Sequence, residues 1–418
     1  MLGVLSSCLN QFMTMNRLLL LLSFLALNFT FLLAQPDDPL RTKANELARQ
    51  FIITDGHVDL PYRLRVQNFR LEREYLGIPV ETDKGDFDYV RAKAGGLDAP
   101  FMSIFIPASR EDNGAKALAD SLIDMVVGIT EAHPDKFALA HSPAEVEANF
   151  KKGIVSLPMG MENGSPIERK LENVQYWHDR GIRYITLTHS KDNHICDSSY
   201  DTTGTWNGLS PFGEQVVSEM NRVGIMVDIS HVSDSTFWQV MEMTDVPCIA
   251  SHSSCRKFTP GFERNMNDDM IRRLAANNGV MQINFGSTFL DGNISKQMDE
   301  KRAELTQLLE EKGLSYDDKE AQPVIDKFQE ENEVLMADVK TVADHIDHVV
   351  SLVGVDHVGF GSDYDGVGDT LPTGLKDVSQ YPNLIHELLK RGYTESDIEK
   401  ICYKNVWRVW QAVEDAAE

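Results

Sequence analysis

Short apolar runs that alternate with amphipathic helical stretches limit the possible folds of this 418-residue chain more than any other feature. Each run is continuously apolar rather than alternating with polar residues, which is typical of strands buried on both faces of a parallel sheet. Eight such runs lie at 51–55, 101–106, 154–159, 184–188, 225–229, 247–250, 280–284 and 357–360. Helical stretches are predicted between most of them, at 143–150, 168–179, 213–223, 234–243, 268–277 and 339–353.

Eight repeats of strand and helix predict an α/β fold of the parallel (β/α)8 TIM barrel type. Barrels of this kind often exceed about 250 residues as one unit, so residues 35–418 are predicted to form a single domain. The stretch 295–336, between the seventh and eighth predicted strands, is rich in Glu, Lys and Gln. It predicts a solvated helical insertion at the surface; a lid over the barrel mouth or a dimer contact is the alternative.

Residues 1–34 have the pattern of a secretory signal peptide. Arg17 is their only charged residue, a mainly apolar stretch covers 18–33, and the small residue Ala34 precedes a polar segment; Met15 is an alternative start. This stretch is short for a membrane span of roughly 20 residues, so cleavage is predicted rather than anchoring. We expect an exported protein, periplasmic or secreted and of bacterial type, with no stable membrane insertion after cleavage.

The charge and the cysteines of the remaining chain argue against several kinds of partner and site. Without residues 1–34, 39 basic residues face 64 acidic ones, a net charge of −25. Such a field repels nucleic acid and anionic membrane surfaces, so neither is predicted as a partner. Cys196, Cys248, Cys255 and Cys402 are scattered without CxxC spacing, which predicts mostly free thiols and no cysteine zinc site.

Ionisable residues follow six of the apolar runs, at the point where each run ends. Because the carboxyl ends of barrel strands converge on one mouth, residues that are distant in sequence become neighbours there. The sequence therefore predicts one cluster of three carboxylates and four imidazoles. Its members are His57, Asp59, Glu162, His189, His231, His252 and Asp363.

The donors in this cluster predict a site for two metal ions. His57 and Asp59 lie two apart at a strand end, so both project to the same side and can share one ion. His231 and His252 end consecutive strands, and a glutamate such as Glu162 can bridge two cations. Two cations about 3.5 Å apart can hold a hydroxide and polarise a carbonyl, which hydrolyses amides. Imidazole with carboxylate suits zinc best, with manganese, iron and cobalt as alternatives.

The order and spacing of these motifs resemble the membrane dipeptidase (renal dipeptidase) family, peptidase family M19, among the amidohydrolase-like metal-dependent hydrolases. The resemblance covers residues 55–408 and includes GIRYITLTHS, RNMNDD, GSDYDG and RGYTESDIEKICYKN. It implies two zinc ions per chain, one held by His57 and Asp59 and the other by His231 and His252. Glu162 is implied as the residue that bridges them.

The resemblance also implies roles for residues around the metals. His189 would contact the substrate and steady the oxyanion of the tetrahedral intermediate. Arg264 would bind the C-terminal carboxylate of the substrate, which suits a planar guanidinium. Asp363 would bind the attacking water and carry its proton to the leaving amine.

Each of these roles has an alternative in the sequence. His189 could pack at a strand end, Arg264 could pair with one of the two aspartates at 268–269, and Asp365 could face the metals in place of Asp363. Three further residues close to the site in sequence are interpreted as structural. They are His194, Asp228 and Arg256.

The sequence thus predicts a zinc-dependent dipeptidase that cleaves free dipeptides and that tolerates a D residue at the C-terminal position. Mammalian members carry a substrate-contacting tyrosine where this chain has Phe289, so the resemblance does not define side-chain preference. The alternatives are another binuclear amidohydrolase, such as a deacylase or lactam hydrolase, and a secreted binding protein without catalysis. A homodimer is expected by analogy with the family.

Overall fold

A computed structural model describes residues 38–66, 80–316 and 318–418. The predicted signal peptide, 1–34, lies outside the described residues. By the contacts between its Cα atoms, the described part of Ala44–Glu418 forms one compact unit. Within the described ranges, no helix combines the length and apolar character needed to cross a membrane.

Eight parallel strands close into a barrel, with helices between successive strands, and confirm the predicted TIM-barrel fold. Going round the barrel, the order is β1, β10, β9, β8, β7, β6, β5 and β2. The strand interiors are almost entirely buried, as the continuous apolar runs predicted. The strands of the described chain are β1 Ile53–Val58, β2 Leu97–Phe105, β3 Phe137–Leu139, β4 Val155–Leu157, β5 Met159–Glu162, β6 Ile182–Thr186, β7 Met226–Asp228, β8 Ile249–Ser253, β9 Val280–Ile283 and β10 Val358–Phe360.

The single strand predicted at 154–159 is wrong, because two strands occupy that stretch. β4 pairs with β3 in a separate two-stranded sheet, and the barrel strand β5 begins only at Met159. Pro158 lies between them and has no N–H to donate to a ladder, while its carbonyl accepts a hydrogen bond from the Met102 amide at 2.8 Å. Because the apolar run is continuous, the sequence does not show that the chain passes from the small sheet to the barrel within it.

Helix starts follow local capping signals. Ser142, Ser233 and Asp338 each accept a hydrogen bond from a backbone amide in the first helical turn, which satisfies a donor that the helix leaves free. The three helices that follow have the bounds predicted from sequence. The α-helices are α1 Pro39–Gln50, α2 Leu60–Val66, α3 Tyr89–Gly95, α4 Ala115–Ala132, α5 Pro143–Phe150, α6 Glu172–Asp179, α7 Pro211–Val223, α8 Asp234–Met243, α9 Asp268–Ala276, α10 Ser287–Leu290, α11 Gly292–Glu311, α12 Gln322–Glu331, α13 Val339–Val353, α14 Tyr381–Lys390, α15 Glu395–Glu399 and α16 Asn405–Asp415.

Two helices, α11 and α12, occupy the stretch between β9 and α13 in which an insertion was predicted. They pack on each other through a small apolar cluster of their own, separate from the two clusters of the barrel. The first three turns of α11 also line the main cavity at the barrel mouth. The buried residues of the small cluster are Leu305, Leu309, Ala321 and Ile325.

Candidate metal centre

The seven clustered residues predicted from sequence come together at one end of the barrel. Each lies near the carboxyl end of a strand or in the first residues after it: β1 carries His57, β5 ends at Glu162, and β8 contains His252. Asp59 directly follows β1, and the residues after β6, β7 and β10 supply the other three. The positions after these three strands are His189, His231 and Asp363.

The carboxylate of Glu162 lies at the middle of the imidazoles. Its Oε1 atom is 3.0 Å from His231 Nε2, 3.4 Å from His252 Nε2 and 3.6 Å from His189 Nε2. Its Oε2 atom is 3.4 Å from His57 Nε2. One carboxylate therefore faces imidazoles on both of its oxygens, as a bridging ligand would.

A second group of donors adjoins the first through His57. His57, Asp59 and Asp363 each offer one ligand atom, and these atoms all lie within 4.8 Å of one another. His57 Nε2 is 3.5 Å from Asp59 Oδ2. Asn284 donates a hydrogen bond to Asp363 Oδ2 at 2.7 Å, which holds that carboxylate in place.

These residues fit a pair of metal ions on the chemistry of their donor atoms. His57 Nε2 and Asp59 Oδ1 are buried and have no hydrogen-bond partner within the described chain. The Nε2 atoms of His231 and His252 lie only 2.9 Å apart. Buried polar atoms left without partners are costly, and lone pairs that converge at such distances are stabilised by cations. Nitrogen and oxygen donors of this kind suit zinc.

The backbone at two strand ends adopts a conformation that aims side chains into the cluster. His231 has φ of 69° and Asp363 has φ of 63°. Non-glycine residues rarely adopt the left-handed region, and such residues concentrate at functional sites where the surrounding structure supports the strain. Both side chains belong to the candidate ligand groups.

Electrostatics favour the ligand form of Glu162, His231 and His252 but not of His57. Burial lowers the pKa of His57, yet the neighbouring Tyr184, Glu162 and Asp59 raise it well above its usual range. Burial alone would raise the pKa of Glu162, but the neighbouring His57 and His189 hold it well below its usual range. Burial lowers the pKa values of His231 and His252 well below their usual range. The bridge is therefore an anion, and these two imidazoles are neutral.

Asp363 has different electrostatic surroundings from Glu162. Burial raises the pKa of Asp363 to about 7; His57 opposes the rise, and the Asp59 and Glu162 charges add to it. A carboxyl group of this kind can hold a proton near neutral pH. Asp365 does not replace it, because Asp365 Oδ2 pairs with Arg63 Nε at 3.1 Å and its Oδ1 accepts from the Asp86 amide at 2.6 Å.

Arg264 lies beside the candidate metal ligands and is 3% exposed. Its Nη1 donates to Ser253 Oγ and its Nη2 to the His252 carbonyl, both at 2.7 Å, while Nε has no partner among the described residues. The pairing considered as an alternative does not occur, because Asp268 contacts His348 at 2.8 Å and Asp269 contacts an arginine of its own helix at 3.0 Å.

A cavity of about 1060 Å³ opens above the cluster. His189, whose side chain is 24% exposed, lines it, so this histidine is not simply packed at a strand end. Tyr200, Phe262 and Phe289 form an aromatic wall, with successive ring centroids 5.9 and 5.7 Å apart. The Phe289 ring lies 5.5 Å from the Arg264 guanidinium carbon. The cavity thus joins the candidate metal ligands to an apolar surface next to a buried cation.

The sequence did not predict the residues that hydrogen-bond to the histidines on the side away from the centre of the cluster. Tyr184 Oη lies 2.9 Å from His57 Nδ1, and Ser251 Oγ lies 2.7 Å from His252 Nδ1. Asp228 was interpreted as structural, yet it accepts a hydrogen bond from the Ser251 hydroxyl at 2.6 Å. The one available signal was an aspartate inside an apolar run, where an unpaired charge is costly.

Comparisons with known proteins identify the family. Residues 41–418 match the model of the membrane dipeptidase family, peptidase family M19. An uncharacterized dipeptidase of Schizosaccharomyces pombe is 31% identical over 386 residues, 89% of this chain and 83% of that protein. Dipeptidase 3 of Mus musculus is 31% identical, over 91% of this chain and 68% of that protein.

Solved structures give the same result. The probable dipeptidase PvdM from Pseudomonas aeruginosa is 25% identical with a TM-score of 0.76, over 91% of this chain and 100% of that one. Dipeptidase AC, a metallopeptidase of family M19, is 25% identical with a TM-score of 0.71, over 87% of this chain and 98% of that one.

Proposed function

The chain belongs to the membrane dipeptidase family of metallopeptidases, peptidase family M19, and from this premise we propose that it is a binuclear zinc enzyme that hydrolyses free dipeptides. The observation that supports the proposal most strongly is the buried Glu162 carboxylate with imidazole nitrogens facing both of its oxygens. When bound, the two ions would activate water and polarise the peptide carbonyl. His57 and Asp59 would hold one ion, His231 and His252 the other, and Glu162 both.

Arg264 is the proposed anchor for the C-terminal carboxylate of the substrate. Within the described ranges no carboxylate lies within 4.0 Å of its guanidinium, although the side chain is almost fully buried. A buried cation without an anionic partner is costly, and its free Nε–H is a donor to an incoming carboxylate. An anchor at one end and metals near the free amine at the other would measure substrate length.

His189 and Asp363 complete the proposed chemistry. His189 Nε2, close to Glu162 and open to the cavity, would donate to the oxygen on which negative charge develops. Asp363 would take the proton of the attacking water and deliver it to the leaving nitrogen. The hydrogen bond from Asn284 leaves Oδ1 of Asp363 to make that transfer.

Three finer features belong to the same proposal. The cavity volume of about 1060 Å³ is at the upper end for small-molecule sites, which leaves room for a C-terminal residue of either configuration. Export through cleavage after residue 34 accords with the acidic, nucleic-acid-repelling charge of the remaining chain. Assembly as a homodimer follows the family analogy, and sedimentation velocity would test it.

Hydrolysis by residues 35–418 with zinc tests the substrate assignment. An L,L and an L,D dipeptide are compared with an N-acetylated dipeptide and a tripeptide. We expect both free dipeptides to be cleaved, and the other two peptides to turn over at least about 100-fold more slowly. The N-acetylated dipeptide lacks the free amine, and the two ends of the tripeptide are too far apart to reach both anchors. Rapid cleavage of the N-acetylated substrate would instead favour a deacylase, and the assignment to dipeptides would fail.

A further inference from the structure

We propose that Asp228 and Ser251 form a hydrogen-bond relay that sets the tautomer of His252, so that its Nε2 atom carries the lone pair that binds metal. The inference rests on the metal centre proposed above. It assigns a positioning role to two residues that touch neither substrate nor metal. The relay runs from the end of β7 to β8, through hydrogen bonds of 2.6 and 2.7 Å.

Asp228 is fully buried, and both of its carboxylate oxygens are engaged by donors. Oδ1 accepts from the backbone amides of Ser230 at 3.0 Å and of Ser251 at 2.8 Å. Oδ2 accepts from the Ser251 hydroxyl at 2.6 Å and from the Thr186 hydroxyl. With four donors facing its two oxygens, this carboxylate acts only as an acceptor.

The direction of the relay follows from the count of protons. Ser251 has one hydroxyl proton, and that proton points to Asp228, because a carboxylate can only accept. The Ser251 oxygen must then accept from His252, so Nδ1 of His252 carries the ring proton. Its Nε2 is left with a lone pair, which faces Glu162 Oε1 at 3.4 Å. Supporting partners of metal-binding histidines commonly set the tautomer in this way.

The other two proposed histidine ligands lack hydrogen bonds that would fix their tautomers. His57 Nδ1 lies 2.9 Å from the Tyr184 hydroxyl. Because a hydroxyl can either donate or accept, this contact does not fix the tautomer. Tyr184 has no second hydrogen-bond partner in the part of the chain that the structure describes. His231 Nδ1 has no partner at all among those residues. The relay therefore acts on one ion, the one assigned to His231 and His252.

The test replaces Asp228 by Asn, which keeps the shape and the Oδ1 acceptor. The new amide would donate to the Ser251 oxygen, the hydroxyl proton would turn toward His252 Nδ1, and Nε2 would take the ring proton and lose its lone pair. Zinc titration of the metal-free protein against a competing chelator measures both affinities. We expect the affinity for one ion to fall about 10- to 100-fold and the other to change less than about threefold.

Two further variants make the result specific. Thr186→Val removes another hydrogen bond to the same oxygen of Asp228 without reversing the relay, so both zinc affinities should stay within about threefold of the parent. Ser251→Ala removes the relay without imposing the wrong tautomer, so its loss should be smaller than that of Asp228→Asn. Thermal midpoints of the metal-free variants report whether the barrel is intact, and Ser251→Ala still tests the proposal if Asp228→Asn does not fold.

The outcomes separate this inference from the proposed function. Two unchanged affinities in Asp228→Asn, equal losses at both ions, or a Thr186→Val loss as large as that of Asp228→Asn would overturn the relay. None of these results bears on which peptides are cleaved. Conversely, a parent protein that binds two zinc ions without cleaving dipeptides would refute the substrate assignment and leave the relay intact.

Discussion

Replacing His345 should remove a specific loss of stability in acid. This histidine, on α13, is fully buried, and its two ring nitrogens have opposite roles. The backbone amide of Cys255 donates to Nδ1 at 3.0 Å, so Nε2 must carry the proton and donate to the Leu290 carbonyl at 3.0 Å. Protonating Nδ1 would break the first bond and bury a charge. His345 thereby ties the segment after β8 to the end of α10.

The magnitude follows from the pKa. Burial lowers the pKa of His345 to about 4; the Leu290 carbonyl opposes this shift, the neighbouring His348 adds to it, and Asp291 opposes it. Between pH 6.5 and 4 the unfolded chain takes up a proton that the folded protein does not, so stability falls as pH falls. At about 1.4 kcal/mol per pH unit for one proton, the total loss is about 3 kcal/mol.

The assay is urea unfolding of the metal-free protein at pH values from 7.5 to 4, comparing the parent with His345→Gln. Glutamine offers one acceptor and one donor but does not titrate. We expect the variant to be less stable at pH 7.5, by about 1–2 kcal/mol for imperfect hydrogen bonds. The difference should shrink or reverse by pH 4, because all other titrating groups are common to both proteins. A difference that stays constant across this pH range would refute the reasoning.

Three other predictions concern the proposed substrate anchor, the metal ions and a buried aspartate outside the site. Arg264→Lys keeps the positive charge but loses the planar guanidinium that can bind a carboxylate through two N–H groups. KM for free dipeptides should therefore rise about tenfold or more, while KM for a C-terminally amidated dipeptide should not change. Equal increases in KM for both substrates would contradict the proposed anchor. Removing metal with a chelator should lower the thermal midpoint, since ions present at about 1000 times Kd contribute about 4 kcal/mol; calorimetric midpoints that coincide would count against a metal centre. Burial raises the pKa of Asp98 to about 6 against the opposing charge of Lys93, so its ionisation destabilises the folded state as pH rises from 4 to 6. Relative to the parent, Asp98→Asn should gain about 2 kcal/mol of unfolding free energy between about pH 4.5 and 7.5, measured by urea unfolding. A gain that does not depend on pH would exclude this cause.

Local patterns were sufficient to predict the barrel and the ligand cluster. Continuous apolar runs report burial on both faces, and a barrel sends the ends of its strands to one mouth, so a position just after a run predicts its neighbours in space. His231 and His252 could be placed together for that reason. Capping residues such as Ser233 likewise define a helix start, because a cap bonds only to the next few residues.

Register and hydrogen-bond direction were decided by the tertiary structure. β4 leaves the barrel for another sheet although its residues are as apolar as those of β5, because apolar content does not specify which strand a segment pairs with. Ser251 meets Asp228 because β7 and β8 pair with Asp228 opposite Ile249, and no local pattern encodes that alignment. The sequence by itself determined which side chains gather at the mouth, since that depends on strand order and burial. The packed structure decided which atom of each side chain faces the centre of the cluster, since that depends on hydrogen bonds between residues far apart in the chain.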